Sequence, residues 1–287
     1  MSRQRLTGPE SNPQPKQSGH PIVIVGAGNM GGAIARGLAA AGWTRHLILV
    51  EPAPTTSAME SMVTQGATHI ASAAQLGPRE IAAVIFAVKP QIIASVAPAY
   101  AQIARNALMI SVAAGTSIES LNEWLVTPRA LVRAMPNLPA SIGMGITAAY
   151  ASPSTPDKDR QLAARLLSAI GEFVWVDRED MLDAVTAVSG SGPAYVFLLA
   201  EALAAAGERV GLPREVARIL ARKTIEGAGA LLADIEMSPA ELRKSVTSPG
   251  GTTEAALKVL MSDAQFENLI AEAVQAATAR AAQLSKS

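Results

Sequence analysis

The sequence predicts an α/β N-terminal domain built on a doubly wound parallel sheet, followed by an all-α C-terminal domain. Three observations carry this. Up to about residue 176, short apolar runs alternate with stretches of helical periodicity, and uninterrupted apolar strands with helices between them imply a parallel sheet covered on both faces. Beyond Asp177 the strand signals cease, and the rest of the chain reads as helices rich in alanine and leucine. Between the first strand, Ile22-Val23-Ile24-Val25, and the first helix stands a glycine-rich turn, Gly26-Ala27-Gly28-Asn29-Met30-Gly31-Gly32.

Composition narrows the function classes. At 287 residues and 49% hydrophobic content the chain has ample core for one large domain or two ordinary ones. Charged residues are only 17%, and Lys+Arg and Asp+Glu balance at 24 each. Global charge therefore gives no case for nucleic acid or an anionic membrane. The apolar stretch 194–207 is interrupted by Glu201, so no membrane span of about 20 residues is expected. The absence of cysteine excludes disulfides, thiolate zinc sites and a cysteine nucleophile. His20, His46 and His69 stand apart at the starts of strands, as solvated edge residues do, and no metal site is expected. Residues 1–19 are rich in Gln, Ser, Pro and Gly and cannot bury enough apolar surface to order themselves. They also lack the apolar core of a secretory signal. The expectation is a disordered tail on a cytoplasmic protein, with a basic transit peptide as the alternative.

The first strand and its turn have the chemistry of a Rossmann dinucleotide site. Gly26 makes the tight turn, Gly28 lets the backbone approach a pyrophosphate, and Gly31 lets the helix pack close to the strand. The helix N-terminus adds free N–H groups and a positive dipole end. Met30, Ile34, Leu38 and Ala41 recur as one face of that helix. A second strand, Leu47-Ile48-Leu49-Val50, ends in Glu51, near the position downstream of the turn where an acid holds the adenosine ribose.

Farther along, 57–65 reads as a short helix closed by Gly66, and 69–71 as a weak strand. Residues 82–88 form a buried strand stopped by Lys89-Pro90, with 91–104 helical behind it. Another strand, 107–113, ends in Ala114-Gly115-Thr116, and 130–134 leads into the turn-rich Met135-Pro136-Asn137-Leu138-Pro139. After a strand over 146–150, Thr155 reads as an N-cap with Pro156 in the first turn of a helix running to about Ile170, before a strand over 173–176. Helices are expected over 181–188, 194–210, 213–233, 239–246, 254–261 and 266–284. They carry more small apolar residues than such a bundle can bury alone, which implies close packing with another copy.

Ligands of open α/β sheets bind outside the carboxyl ends of the strands, and three ends here carry special residues. Ala87-Val88-Lys89-Pro90 offers either a cation for a cofactor phosphate or ribose, or a solvated lysine beside a turn proline. Ala113-Ala114-Gly115-Thr116 and Arg133-Ala134-Met135-Pro136-Asn137 end two more, and Asn137 either caps the turn or hydrogen-bonds a carboxamide. In the helical domain, Ser189-Gly190-Ser191-Gly192-Pro193 and Ser248-Pro249-Gly250-Gly251-Thr252-Thr253 each read as a turn before a helix, presenting free N–H groups to an anion. Thr253 reads as an N-cap. Two hydroxyls and two flexible amides at one helix start also suit a small carboxylate, and capping and binding are not exclusive.

Together the glycine turn, Ala87-Val88-Lys89-Pro90, Arg133-Ala134-Met135-Pro136-Asn137, the turn over 189–195 and above all Ser248-Pro249-Gly250-Gly251-Thr252-Thr253 resemble pyrroline-5-carboxylate reductase, the last enzyme of proline synthesis. The resemblance covers 21–287. It implies a dinucleotide-binding Rossmann domain over 20–176 and an interlocking helical dimerisation and substrate domain over 177–287, in a homodimer and often a ring of dimers. It also implies hydride transfer from NADH or NADPH to the C=N carbon of 1-pyrroline-5-carboxylate, giving L-proline. Thr253 would be the catalytic residue, hydrogen-bonded to the ring nitrogen, with Ser248, Gly251 and Thr252 at the carboxylate. Gly26, Gly28, Asn29, Met30, Gly31, Glu51, Ala87, Val88, Lys89, Pro90 and Asn137 would line the NAD or NADP cofactor. The lack of an obvious acid–base dyad fits, because a protonated imine mainly needs to be held at near-attack distance from the donor.

Two positions depart from the family pattern. Glu51 stands where NADPH users commonly carry a small polar residue, and a carboxylate there repels a 2′-phosphate and accepts the ribose diol; the expectation is that NADH is well used. Arg243-Lys244-Ser245 stands where a Lys-Asp pair and a polar neighbour are expected, which leaves the anchoring of the substrate loop open. Two other readings are compatible with parts of the chain. A β-hydroxyacid-type dehydrogenase needs a lysine base on an interior helix, for which Lys223 is the candidate; a nucleotide-binding sensor or scaffold binds without turnover.

Overall fold

The computed structural model describes residues 19–53, 56–234 and 236–285; apart from Gly19, the expected tail over 1–19 lies outside the described residues. Eight strands form one sheet in the order β3-β2-β1-β4-β5-β6-β7-β8. In chain order they are β1 (Ile22–Val25), β2 (Leu47–Val50), β3 (Thr68–Ile70), β4 (Ala83–Phe86), β5 (Leu108–Ser111), β6 (Ala130–Met135), β7 (Gly145–Ala151) and β8 (Gly171–Trp175). Each of β1, β2, β4 and β5 is buried along its whole length. Alternate residues serve opposite faces: Ile22 and Ile24 pack with Ile34, Leu38, Leu166 and Leu167, while Val23 and Val25 pack with Phe86, Ile93, Tyr100 and Leu121.

The sheet is not wholly parallel: β6 and β7 pair antiparallel, and β7 and β8 are parallel to each other. The connection over 136–144 is too short for a crossover helix and permits only reversal. A 3₁₀ turn, Leu138–Ile142, followed by Gly143 at φ 74°, makes that reversal.

The helices of the sheet domain are α1 (Asn29–Leu38), α2 (Ser57–Thr64), α3 (Pro90–Val96), α4 (Ala101–Ala104), α5 (Ile118–Leu125) and α6 (Asp157–Leu167). Two details differ from the sequence-based expectation. Ala41 is exposed, because α1 ends in a wide turn where Gly42 takes φ 87° and the apolar face stops at Leu38. Thr155 does not cap α6: its hydroxyl accepts from the Leu131 N–H and donates to the Leu131 carbonyl, and Pro156 occupies the cap position. Helix α5 was not among the expected elements. Its signals are present: Ser117 accepts from the Ser120 N–H, and Ile118, Leu121 and Leu125 are buried at helical spacing.

Beyond β8 come α7 (Met181–Val185), α8 (Gly192–Arg209), α9 (Arg214–Asp234), α10 (Pro239–Ser245), α11 (Thr252–Leu260) and α12 (Gln265–Leu284). The chain does not turn at 189–193. A π turn, Thr186–Gly190, in which the Ser191 N–H reaches back to the Thr186 carbonyl, joins α7 to α8 in one 29-residue helix, Met181–Arg209. By length and composition this helix is apolar enough to cross a membrane, contrary to the expectation drawn from Glu201. Among the described residues beyond 176, only Leu182, Ala187, Ala217, Ala221 and Ala281 are buried apolar side chains, whereas Phe197, Leu198, Leu199, Ile219 and Leu220 lie open. The helical region has almost no core within one protomer.

One defect in the sheet domain is testable. Thr147 on β7 is 1% exposed, and its hydroxyl has no hydrogen-bond partner among the described residues. Thr147→Val keeps the shape and removes the orphan, so it should stabilise the protein by about 1 kcal/mol, read as a higher urea midpoint with unchanged slope at fixed protein concentration.

Candidate active site

At the carboxyl end of β1 the chain turns through Gly26, whose φ of 88° favours glycine and whose N–H donates to the Val50 carbonyl at 2.9 Å. A Cβ on Gly31 would collide with the Gly26 carbonyl. That close approach brings α1 tightly onto β1. A Cβ on Gly28 would meet nothing, so its open side is free for a ligand, and no side chain caps the helix start. Sheet order reverses direction here, with β2 on one side of β1 and β4 on the other, the crevice where dinucleotides bind.

Two cavities flank the turn. One, of about 750 Å³, is lined by Gly26, Gly28, Val50, Glu51, Val88 and Lys89 among others; the adjoining one, of about 510 Å³, by Gly28, Asn29, Met30, Arg36 and Thr56 among others. Tyr100 lies at the floor of the first, edge-on to Phe86, and burial pushes its hydroxyl up to about 12. The Glu51 carboxylate is held at the rim, with Oε2 accepting from the Ala27 N–H at 2.9 Å and Oε1 from the Ala53 N–H at 3.1 Å. His69 is not merely solvated: its Nε2 lies 2.9 Å from the Glu51 carbonyl. Size, open glycine and uncapped helix start suit a dinucleotide. Ala87 also lines the first cavity, whereas Pro90 opens α3 and lines a separate cavity of about 780 Å³ with Ala114, Gly115 and Thr116.

Two strand-end motifs build the joint between sheet and helices. Asn137 is 8% exposed and both ends of its amide are bound to protein: Nδ2 donates to the Ser189 carbonyl at 3.2 Å and Oδ1 accepts from the Ile146 N–H at 3.0 Å. The π turn loosens helical carbonyls, and two within it accept from side chains outside it: Ser189 from Asn137, and Ala187 from the Tyr195 hydroxyl at 3.1 Å. Met135 packs so near Gly190 that a Cβ there would sit 2.7 Å from its Cε. Arg133 is buried, with Nη1 on Glu179 Oε1 at 3.0 Å and Nη2 donating to Ser285 Oγ at 3.3 Å. Glu179 also accepts from the Ile118 N–H at the start of α5. Likewise, Gly115, at φ 72°, receives the end of α12: a Cβ on it would lie 3.0 Å from the Leu284 carbonyl oxygen. Glu179, Asp183 and Ser285 were invisible in sequence, since no spacing links them to Arg133.

The loop before α11 is exposed. Gly251, not Thr253, is the N-cap residue, and it offers no side chain; Thr252 and Thr253 are the first two helical residues. Among the described residues the hydroxyls of Ser248, Thr252 and Thr253 have no protein partner. The loop is anchored without the Lys-Asp pair. The Thr247 hydroxyl donates to the Arg243 carbonyl at 2.7 Å, the Gly250 N–H to Glu254 Oε2 at 2.8 Å, and the Gly251 N–H to the Ser248 carbonyl at 3.0 Å. Arg243 itself points Nη1 at Met261 Sδ, 3.5 Å away. Lys223 is exposed and paired with Glu226 at 2.7 Å, no interior base. Neither cavity flanking the glycine turn is lined by any of residues 248–253, so one protomer does not bring the two candidate half-sites into a common cavity.

A dinucleotide crevice followed by helices exposing an apolar face fits an NAD(P)-dependent oxidoreductase, the class to which the chain's relatives assign it. Sequence comparison agrees. A family model described as pyrroline-5-carboxylate reductase dimerisation matches residues 179–284, and one described as NADP oxidoreductase, coenzyme F420-dependent, matches 21–115. The pyrroline-5-carboxylate reductase of Pseudomonas aeruginosa is 40% identical over 92% of this chain and 97% of its own. Among solved structures, the Coxiella burnetii pyrroline-5-carboxylate reductase aligns with a TM-score of 0.84 at 35% identity, over 93% of this chain and 99% of that one. The Plasmodium falciparum pyrroline carboxylate reductase, solved with NADP bound, aligns at 0.78 and 27% identity, over 93% and 98%. The chain belongs to the pyrroline-5-carboxylate reductase family.

Asn137→Asp would set an acceptor against the Ser189 carbonyl inside the joint. It should destabilise the protein by about 1–3 kcal/mol, read as a lower thermal midpoint than that of the wild type at equal protein concentration.

Proposed function

We propose that the protein reduces 1-pyrroline-5-carboxylate to L-proline as a homodimer, the last step of proline synthesis, in the cytoplasm. The observation that carries the reading is the start of α11: an uncapped helix N-terminus with three hydroxyls, Ser248, Thr252 and Thr253, that have no partner among the described residues, in a chain of this family. A small cyclic imino acid has one carboxylate and one ring nitrogen. The N–H groups and dipole of α11 suit the carboxylate, with Ser248, Gly251 and Thr252 around it. Thr253, half-buried one residue farther along the helix, is assigned to accept from the N–H of the protonated imine. The electrophilic carbon keeps its polarisation because the nitrogen arrives carrying its proton, so no separate acid is required.

On the other side, Gly26, Gly28, Asn29, Met30, Gly31, Glu51, Ala87, Val88 and Lys89 are assigned to the dinucleotide, with Pro90 near its reacting end. A bound reduced nicotinamide supplies the hydride. Asn137, whose amide is already engaged by Ser189 and Ile146, keeps a role as positioner of that region. The division assigned is 20–176 for the cofactor and 177–287 for dimerisation and substrate. Because the half-sites share no cavity in one protomer, and the helices between them are bare of cover, a second copy is assigned to complete the site; the ring of dimers implied by the family resemblance would be built from that unit.

Absorbance of the reduced nicotinamide tests the reaction. Consumption with pyrroline-5-carboxylate and none with a β-oxo acid is expected; consumption with the oxo acid alone, or cofactor binding without turnover, would sink the reading. Thr253→Ala should lower kcat roughly 10- to 100-fold and leave the cofactor Kd nearly unchanged, and turnover equal to wild type would remove Thr253 from its role. Light scattering should give at least a dimer, with Leu199→Glu, on the bare face of α8, shifting the mass toward monomer and lowering activity in parallel.

A further inference from the structure

We infer that Glu51 makes NADH the preferred hydride donor of this protein and disfavours NADPH, an inference that rests on the oxidoreductase reading above. The carboxylate is fixed by its surroundings. Its own residue is tied into the sheet, with the Glu51 N–H donating to the Ile70 carbonyl at 3.1 Å and the Glu51 carbonyl 2.9 Å from His69 Nε2. Its two side-chain oxygens are then directed by the Ala27 N–H at 2.9 Å and the Ala53 N–H at 3.1 Å, at the rim of the larger cavity beside the glycine turn. Each oxygen retains a lone pair, so a ribose diol can donate to a charge already in position.

A 2′-phosphate would meet the opposite of what it needs. Among the described residues of the turn after β2, Pro52 has no N–H, the Ala53 N–H is engaged by Glu51, and the Thr56 hydroxyl, which accepts from the Met59 N–H at 3.3 Å, has a single neutral O–H to offer. Among the described residues, the only cations lining the two cavities are Lys89, at the end of β4, and Arg36, in the smaller cavity with Ala27, Gly28 and Thr56. The charge that the described residues of the turn present to a phosphate is a carboxylate, and like charges at short range repel.

Binding and kinetics on the full-length protein test this separately from the reaction. By calorimetry, 5′-AMP should bind about tenfold or more tightly than 2′,5′-ADP, and kcat/KM for NADH should exceed that for NADPH by a similar factor. Glu51→Gln, which keeps one acceptor and loses the charge, and Glu51→Ser, which clears the rim, should both move the two ratios toward the phosphorylated ligand, with thermal unfolding run alongside to show that the variants are folded. Tighter binding of 2′,5′-ADP by the wild type, as Arg36 would produce if it held the phosphate, overturns the inference. So do ratios that stay unchanged in folded variants. Absence of imine reduction with either donor while the AMP preference persists would count against the proposed reaction and leave the role of Glu51 supported.

Discussion

The end of β6 is where the sheet and the helices are fastened, and the orientation of the helices against the sheet depends on it. Arg133 reaches from the sheet to Glu179 before α7 and to Ser285 after α12, while Asn137, a few residues on, holds the π turn between α7 and α8. A buried guanidinium is costly unless paired, and here Glu179 and Ser285 hold it, with Asp183 at 3.8 Å as a further countercharge. Because these partners come from separate segments, the fastening defines an orientation as well as an attachment. The π turn contributes by loosening helical carbonyls, one of which Asn137 takes.

Fastened in this way, α8 leads away from the sheet with its apolar side chains bare. Such a surface is untenable in water for a lone protomer and self-consistent for a symmetric pair, in which the same patch serves both copies. The arrangement also separates labour. The sheet domain has a complete core on both faces and forms the dinucleotide crevice alone, while the helices supply a loop whose hydroxyls and N–H groups face outward.

Much of this was legible in the sequence because it follows from local pattern. Buried strands announce themselves as unbroken apolar runs, and the glycine turn as three glycines whose spacing has a steric cause; β1, β2, β4 and the six helices beyond Asp177 are legible on those grounds. The failures lie where a distant partner decides. Thr155 looks like a helix cap in a local window, yet the Leu131 backbone claims its hydroxyl. Ser189 to Pro193 has the composition of a turn, but a continuous helix absorbs it because Asn137 and Tyr195 satisfy the carbonyls that the π turn loosens. The direction of β7 depends on connection length, which the strand pattern does not encode. Lys89 lines the cavity beside the glycine turn, while Asn137 proves to be engaged by the protein. The Arg133 cluster is drawn from four separate places in the chain, and no window contains it.

The docking of α12 has a practical side. The helix ends against Gly115, and Ser285 sits within the fastening around Arg133, whereas Gly19 and His20 lie exposed before β1, at the end of that strand remote from the glycine turn. A purification handle or fluorescent fusion joined closely after Ser285 would press on the joint that aligns the two half-sites. Gly19 and His20 take no part in that joint, so the amino end is the place to attach it.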